Sequence, residues 1–364
     1  MARVLNFGPG PSMLPESVLK RMQAELLDYH GCGWSIVEAS HRGTEVQALM
    51  RDLRAAVRDL LAIPDNYDIL FCQGGGRLQF AMVPMNLLGA SPVASYLVTG
   101  TWSKTAAKEA MRFCKKRSSR FSGNGTRLPV DEEIDIVEGA AYCYYCDNET
   151  IHGLEFPTIP EPDLKGAPLV ADMSSNFMSR PIDVERFGLF WAAAQNNLGI
   201  AGLTVVVIRR DLLGLASSDV PTLMNYGVYS RTSSIPNTPP VFQLYAAKLM
   251  AEWIEKEGGV ALMNERAKAR SALIYEVIDS LGDFYLTRTE ARARSRMNVA
   301  FRLRTESLTQ DFIKAAEDAG LYNLAGHRSV GGLRASMYNA MPLEGAERLA
   351  SFMRGFADKH ARSN

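Results

Sequence analysis

Neither sign of charge predominates in this sequence: 40 Lys and Arg face 40 Asp and Glu, and the formal net charge is zero. That balance removes the electrostatic basis for a nucleic-acid or anionic-membrane partner. Cysteine is scarce. Five is an odd count, with no disulfide spacing, so a reducing compartment is expected. Cys143 and Cys146 form a lone C-x-x-C within residues 140–146, which read as a strand. Period-2 geometry sends the two thiols to opposite faces, so they are read as core thiols and not as a metal or redox pair. No apolar run is long enough to cross a membrane, and no signal-peptide pattern opens the chain. A soluble cytoplasmic protein is expected. The sequence also lacks internal repeats, low-complexity segments, a spaced G-x-G-x-x-G and a Walker Lys-Ser/Thr.

What is present is 364 residues of ordinary globular composition, enough for two domains with a large core. The most informative stretch is residues 190–202, Phe-Trp-Ala-Ala-Ala-Gln-Asn-Asn-Leu-Gly-Ile-Ala-Gly. An apolar strand runs into Asn196-Asn197, a Gly-rich turn follows, and residues 203–208 form a second apolar strand. Locally this is either a tight hairpin or a strand end that holds a ligand.

Elsewhere the chain alternates strands with helices. Residues 67–72 form a strand that leads through Gln73-Gly74-Gly75-Gly76-Arg77 into a helix over 78–88. A glycine turn at a helix start can cradle a phosphate, or it can simply be a tight turn. Trp102 follows the strand at 95–99 and opens a helix over 103–113. It is a candidate for stacking on a planar ring and equally for packing. Lys115-Lys116-Arg117 reads as a solvated face. Strands at 140–146 and 168–171 end in Asp147-Asn148-Glu149-Thr150 and Asp172-Met173-Ser174-Ser175. An Asp at a buried strand end needs a cationic partner, from protein or cofactor. With about 25–40 residues between strands, the pattern argues for a mainly parallel sheet flanked by helices. The polar tips Gly74–Arg77, Trp102, Thr150, Asp172, Ser174 and Gln195 then share one sheet edge. That set suits a phosphorylated, flat, protonatable heterocycle.

Helices are expected over 15–29, 45–61, 241–258 and from 260 to about 281. A compact α/β unit follows, with strands at 297–303 and 334–338 and helices at 308–319 and 343–360. Two His-Arg pairs, His41-Arg42 and His327-Arg328, lie far apart in sequence, with Arg334 close to the second. Each pair is a surface loop or an anion clamp; together over one pocket they would hold a doubly charged anion.

Ordered motifs across nearly the whole chain carry a resemblance. They include Asn6-Phe7 with Gly10-Pro11, Ser40-His41-Arg42-Gly43, Gly74-Gly75-Gly76-Arg77, Asn148-Glu149-Thr150 and Asp172-Met173-Ser174-Ser175. They continue with Asn237-Thr238-Pro239-Pro240, Gly326-His327-Arg328 and Tyr338-Asn339-Ala340-Met341-Pro342. The sequence resembles the phosphoserine aminotransferase family, within the class V, fold-type I pyridoxal-phosphate aminotransferases. The resemblance implies a large cofactor-binding domain over 16–256, built on a mainly parallel seven-stranded sheet. A small α/β domain of 1–15 and 257–364 would complete it. Pyridoxal 5'-phosphate or pyridoxamine phosphate would be the cofactor. Trp102 would stack on its ring, Asp172 would pair with the ring nitrogen and Thr150 would bond the ring hydroxyl. Gly76, Arg77, Ser174 and Gln195 would hold its phosphate, with Asn237 and Thr238 reaching across from the second subunit of a homodimer. His41, Arg42, His327, Arg328 and Arg334 would bind the anionic groups of phosphoserine or glutamate.

One departure stands out. Where the family carries the lysine that bonds the cofactor covalently, this chain has Asn196, and the nearby family proline is Ile200. Asn cannot form that bond and is a negligible base. The resemblance therefore implies non-covalent cofactor binding and impaired or altered transamination. Lys104 and Lys248 are candidate substitutes. A non-catalytic ligand-binding homologue and an inactivated form of a true phosphoserine aminotransferase remain alternatives.

Overall fold

The computed structural model describes residues 3–115 and 117–361. A seven-stranded sheet is its centre: β1 (Tyr67–Gln73), β2 (Ser95–Val98), β3 (Arg117–Ser122), β4 (Cys143–Cys146), β5 (Leu169–Asp172), β6 (Phe187–Ala193) and β7 (Leu203–Arg209). The spatial order is β1-β7-β6-β5-β4-β2-β3. β6, β5, β4, β2 and β3 run parallel, and β7 alone runs antiparallel to both of its neighbours. The central strands are buried on both faces, which explains their near-continuous apolar sequences, such as Leu-Thr-Val-Val-Val-Ile in β7. Of the two readings of residues 190–202, the paired strands are present: β6 and β7 are an antiparallel pair, joined through residues 194–202, a longer connection than a tight hairpin, and Gln195 and Asn196 of that connection line a cavity.

Helices cover both faces. On one lie α1 (Glu16–Ala24), α2 (Thr44–Leu61) and α6 (Val241–Lys256); on the other lie α3 (Gly76–Leu87), α4 (Thr101–Ala110) and α5 (Tyr226–Arg231). α2 buries Val46, Leu49, Met50, Leu53 and Val57, a stripe at helical spacing, while Arg51, Asp52 and Asp59 face outward. α1 stops five residues before the expected end at Tyr29. There Asp28 Oδ1 accepts from Gly33 N at 2.7 Å, and Tyr29 N donates to Trp34 O at 2.9 Å, closing a turn in which Gly31 and Gly33 have positive φ.

β3 was not expected from the sequence. Lys115 is exposed as anticipated, Lys116 lies outside the described residues, and Arg117–Ser122 joins the sheet as its edge strand. Edge strands tolerate polar sequences because they lack a second neighbour, so the apolar signal is weak there.

α7 (Gly259–Ser280) leads to a second sheet, β8 (Tyr285–Leu286), β9 (Asn298–Leu303) and β10 (Leu333–Ser336), which is antiparallel throughout. α8 (Thr309–Asp318) and α9 (Leu343–Ala361) pack with it around a separate buried cluster that includes Leu5 and Phe7. Leu5–Asn6 pairs in parallel with Leu321–Tyr322, which brings Pro9 and Gly10 to the edge of the large sheet. Among the described residues no helix is long and apolar enough to cross a membrane.

Candidate active site

The carboxyl ends of β1, β2, β4, β5 and β6 meet at a cavity of about 260 Å³. Open α/β sheets bind ligands at that edge because loops diverge there and leave a crevice. Gly76, Arg77, Trp102, Thr150, Asp172, Ser174, Gln195, Asn196, His327 and Arg334 all line it.

At the end of β1 the chain turns through Gly74 (φ 96°) and Gly75 (φ 73°), both in the region that favours glycine. α3 then starts at Gly76, and no side chain caps it. Its first N–H groups are free for an anion. A Cβ on Gly76 would lie 3.0 Å from Ser174 Oγ, so this is also a close approach. The free helix end, Arg77 and the Ser174 hydroxyl together suit a phosphate.

Trp102 is half-buried in the first turn of α4. Its position depends on Glu149, a buried residue for which the sequence offered no role. The Glu149 carboxylate accepts from Trp102 N (2.8 Å), Ser103 N (2.8 Å) and Ser103 Oγ (2.6 Å). It acts as a helix cap supplied from another strand. Burial pushes its pKa up, and the bonds from Ser103 and Trp102 pull it back. Gly100 has no side chain for a steric reason: a Cβ there would lie 2.6 Å from Glu149 Cδ. The only sequence signal for this was a Glu just past a buried strand, facing a Gly-Thr-Trp-Ser helix start.

Asp172 ends β5 and is 7% exposed. Its Oδ1 accepts from Ser174 N at 2.9 Å. Among the described residues no cationic side chain pairs with it. Burial pushes its pKa up to about 6; the Ser174 bonds lower it and the Asp147 charge raises it further. Asp147 is itself held by Arg180 at 2.9 Å. The expected cationic partner of Asp172 is therefore not found among the described residues, and a protonated ring nitrogen suits the place.

Arg334, on β10, is buried and reaches the cavity from the second sheet. Its Nη1 donates to Thr150 O at 3.3 Å, its Nε has no partner, and burial pushes its pKa down. A buried guanidinium without a carboxylate calls for an anionic ligand. His327 is half-buried beside it. Desolvation lowers its pKa, and Arg334 and Arg328 add to that.

Asn196 Nδ2 donates to Ser174 O at 3.1 Å, and Ser12 Oγ donates to Asn196 O at 2.5 Å. Its Oδ1 is buried without a partner. A Cβ on Gly10 would overlap that oxygen. The neighbouring Asn197 points elsewhere, accepting from Asn339 N at 2.9 Å.

Not every expected residue arrives. His41 and Arg42 lie in the turn before α2 and do not line the cavity, and Arg328 is exposed outside it. The two His-Arg pairs therefore do not meet over one pocket within a single chain. Asn237 and Thr238 are exposed beside the glycine turn, where Gln73 Nε2 donates to Asn237 Oδ1 (2.9 Å) and Thr238 O (3.0 Å). Of the two thiols read as core residues, Cys143 packs under one sheet face, whereas Cys146 is buried but lines the cavity. No lysine of the described residues lines it. Lys104 is exposed on α4, and Lys248 pairs with Glu252 on α6.

The family description "Aminotransferase class-V" matches residues 4–349. A phosphoserine aminotransferase of Laribacter hongkongensis is 48% identical over 363 residues, covering 98% of this chain and 99% of the relative. One of Chromobacterium violaceum is 48% identical, covering 99% and 100%. Among solved structures, the phosphoserine aminotransferase of Bacillus circulans subsp. alkalophilus aligns with a TM-score of 0.95 at 42% identity, covering 98% of this chain and 99% of that one. A pyridoxal-phosphate-bound phosphoserine aminotransferase from Trichomonas vaginalis aligns with a TM-score of 0.93 at 38% identity, covering 97% and 100%.

Proposed function

The chain belongs to the class-V aminotransferase family, in its phosphoserine aminotransferase branch, and we propose that it holds a vitamin B6 phosphate cofactor non-covalently. On this reading it acts on phosphoserine, 3-phosphohydroxypyruvate or a similar acidic amino acid, with ordinary transamination strongly impaired. The observation that carries the reading is a cavity that Gly76, Arg77, Trp102, Thr150, Asp172, Ser174 and Gln195 line together with Asn196, and that no lysine of the described residues lines.

The cofactor, when bound, would supply an electron sink for the bonds at the substrate Cα. The protein's part follows from its residues. The start of α3, with Gly76 and Arg77, and the Ser174 hydroxyl hold the phosphate. Gln195 stands on the same wall. Trp102, fixed by Glu149, stacks on the ring, and Thr150 bonds its hydroxyl. Asp172 keeps the ring nitrogen protonated. Arg334 and His327 orient the substrate's anionic group. Asn196 leaves the site without the amine that would carry a proton to and from the substrate. A positioned acid or base contributes roughly 10²–10⁴-fold, so the loss is large.

We assign residues 16–256 to the cofactor-binding domain and 1–15 with 257–364 to a smaller one. The separate buried cluster that joins Leu5 and Phe7 to β9, β10 and α9 supports this division. His41, Arg42, Asn237 and Thr238 all lie outside their own chain's cavity, which supports a homodimer in which they serve the other subunit's site. The missing lysine also favours, as an alternative, a ligand-binding protein without catalytic activity; turnover separates the two.

Protein loaded with pyridoxal phosphate is reduced with borohydride and its peptides are mass-mapped. Cofactor retention with no specific lysine adduct is expected. Transamination between glutamate and 3-phosphohydroxypyruvate should rise by roughly 10²–10⁴-fold in Asn196→Lys. A stoichiometric adduct on one native lysine would overturn the non-covalent reading. Full wild-type activity, unchanged by Asn196→Lys, would overturn the impairment. No turnover at all in the wild type would favour the non-catalytic alternative.

A further inference from the structure

The amide of Asn196 has only one sensible orientation. Its Nδ2 donates to the Ser174 carbonyl at 3.1 Å, and rotating the group by half a turn would set two oxygens against each other. The carbonyl oxygen Oδ1 is thereby fixed against Gly10, and both residues line the cavity. It is an acceptor, it is buried, and nothing in the protein donates to it. Leaving a buried acceptor unpaired costs about 1–3 kcal/mol, so the site favours a ligand that brings a donor.

The two forms of the cofactor differ at one substituent. The aldehyde form presents a carbonyl oxygen there, which is an acceptor. The amine form presents an ammonium group, which has three donors and a positive charge. Ring, hydroxyl and phosphate are common to both, so Trp102, Thr150, Asp172, Ser174 and the start of α3 cannot discriminate. Discrimination falls to the residue at the position where the family's lysine meets that substituent. A lysine there favours the aldehyde by bonding to it and repels an ammonium by like charge. Asn196 does the reverse.

We infer that Asn196 makes this site selective for the amine form, pyridoxamine phosphate, over the aldehyde form, through a hydrogen bond accepted by its Oδ1. The inference rests on the non-covalent cofactor reading above and adds which form the protein carries. Among the described residues no other acceptor in the wall has the same combination of burial, fixed orientation and missing donor. Asn339 Oδ1 is also unpaired but lies outside the cavity, and Trp191 Nε1 is a donor.

Cofactor-free protein is titrated calorimetrically with pyridoxamine phosphate and, separately, with pyridoxal phosphate. Pyridoxamine phosphate should bind at least about tenfold more tightly, as one charge-assisted bond implies. Asn196→Leu should reduce that preference to within about threefold. Because Asn196→Leu also abandons Ser174 O and risks misfolding, Asn196→Lys is the second variant. It should reverse the preference and retain the aldehyde form through dialysis. Equal affinities in the wild type, or tighter aldehyde binding, would overturn the inference while leaving the non-covalent reading intact. Failure of both forms to bind would overturn that reading as well.

Discussion

The Glu149 carboxylate sits over the first turn of α4 and accepts the backbone N–H of Trp102 at 2.8 Å. A residue at the end of one strand thus sets the ring that follows another. Trp102 lines the cavity from a helix start that this cap holds.

Glu149→Ala should therefore do two things at once. Losing a cap costs about 0.5–2 kcal/mol, and Ser103 loses two hydrogen bonds to Glu149 Oε1 in a buried place. Urea unfolding should show the destabilisation. Cofactor affinity should fall in parallel, because Trp102 loses its anchor; calorimetric titration checks that. Gly100→Ala should resemble it, since the new Cβ would lie 2.6 Å from Glu149 Cδ.

Asp172 yields opposite effects on stability and on binding. Its pKa in the cofactor-free protein is raised to about 6 by burial. An acid with a raised folded-state pKa binds protons more tightly folded than unfolded. Its ionisation therefore costs stability at neutral and higher pH, and that cost is relieved as the pH falls from about 6 toward the ordinary carboxylate value of about 3.9. Asp172→Asn should stabilise the cofactor-free protein at pH 8, by up to about 3 kcal/mol, and the gain should fade at acidic pH. The same variant should bind the cofactor at least tenfold more weakly, because a charge-assisted bond contributes about 1.5–3 kcal/mol. Thermal unfolding across pH, with and without cofactor, reads both effects.

Arg334 should control the substrate and leave the cofactor alone. Arg334→Leu should weaken glutamate binding by about 10–100-fold, the range of a charged hydrogen bond, while cofactor affinity changes little. Arg334→Lys should recover only part of the loss, since an ammonium lacks the planar fork. Equilibrium titration of cofactor-loaded protein with glutamate distinguishes these outcomes.

Gly76→Ala should weaken cofactor binding more than it destabilises the fold. The added Cβ would lie 3.0 Å from Ser174 Oγ and would narrow the proposed phosphate cradle at the start of α3. The cofactor-free melting temperature should stay within a few degrees of the parent. Inorganic phosphate should protect the parent against thermal unfolding, and the variant less.

Much of this protein was legible in its sequence because the signals are local. Apolar strands with polar tips announced the sheet and the edge where the cavity lies, and the Gly74–Gly76 turn announced the start of α3. Asp172 at the end of a buried strand announced a need for a cationic partner, and among the described residues no side chain supplies one. The missing lysine was visible at Asn196. Tertiary structure alone decided what depends on distant segments meeting. It made β3 a strand, because pairing with β2 outweighs its polar composition. It set Glu149 under Trp102 across 47 residues, and it left the acceptor of Asn196 unpaired by directing the amide to Ser174. It also kept His41 and Arg42 away from His327 and Arg334 within one chain. A sequence records which groups are available, whereas hydrogen-bond partners and burial are pairwise properties of the folded chain, fixed only when the segments come together.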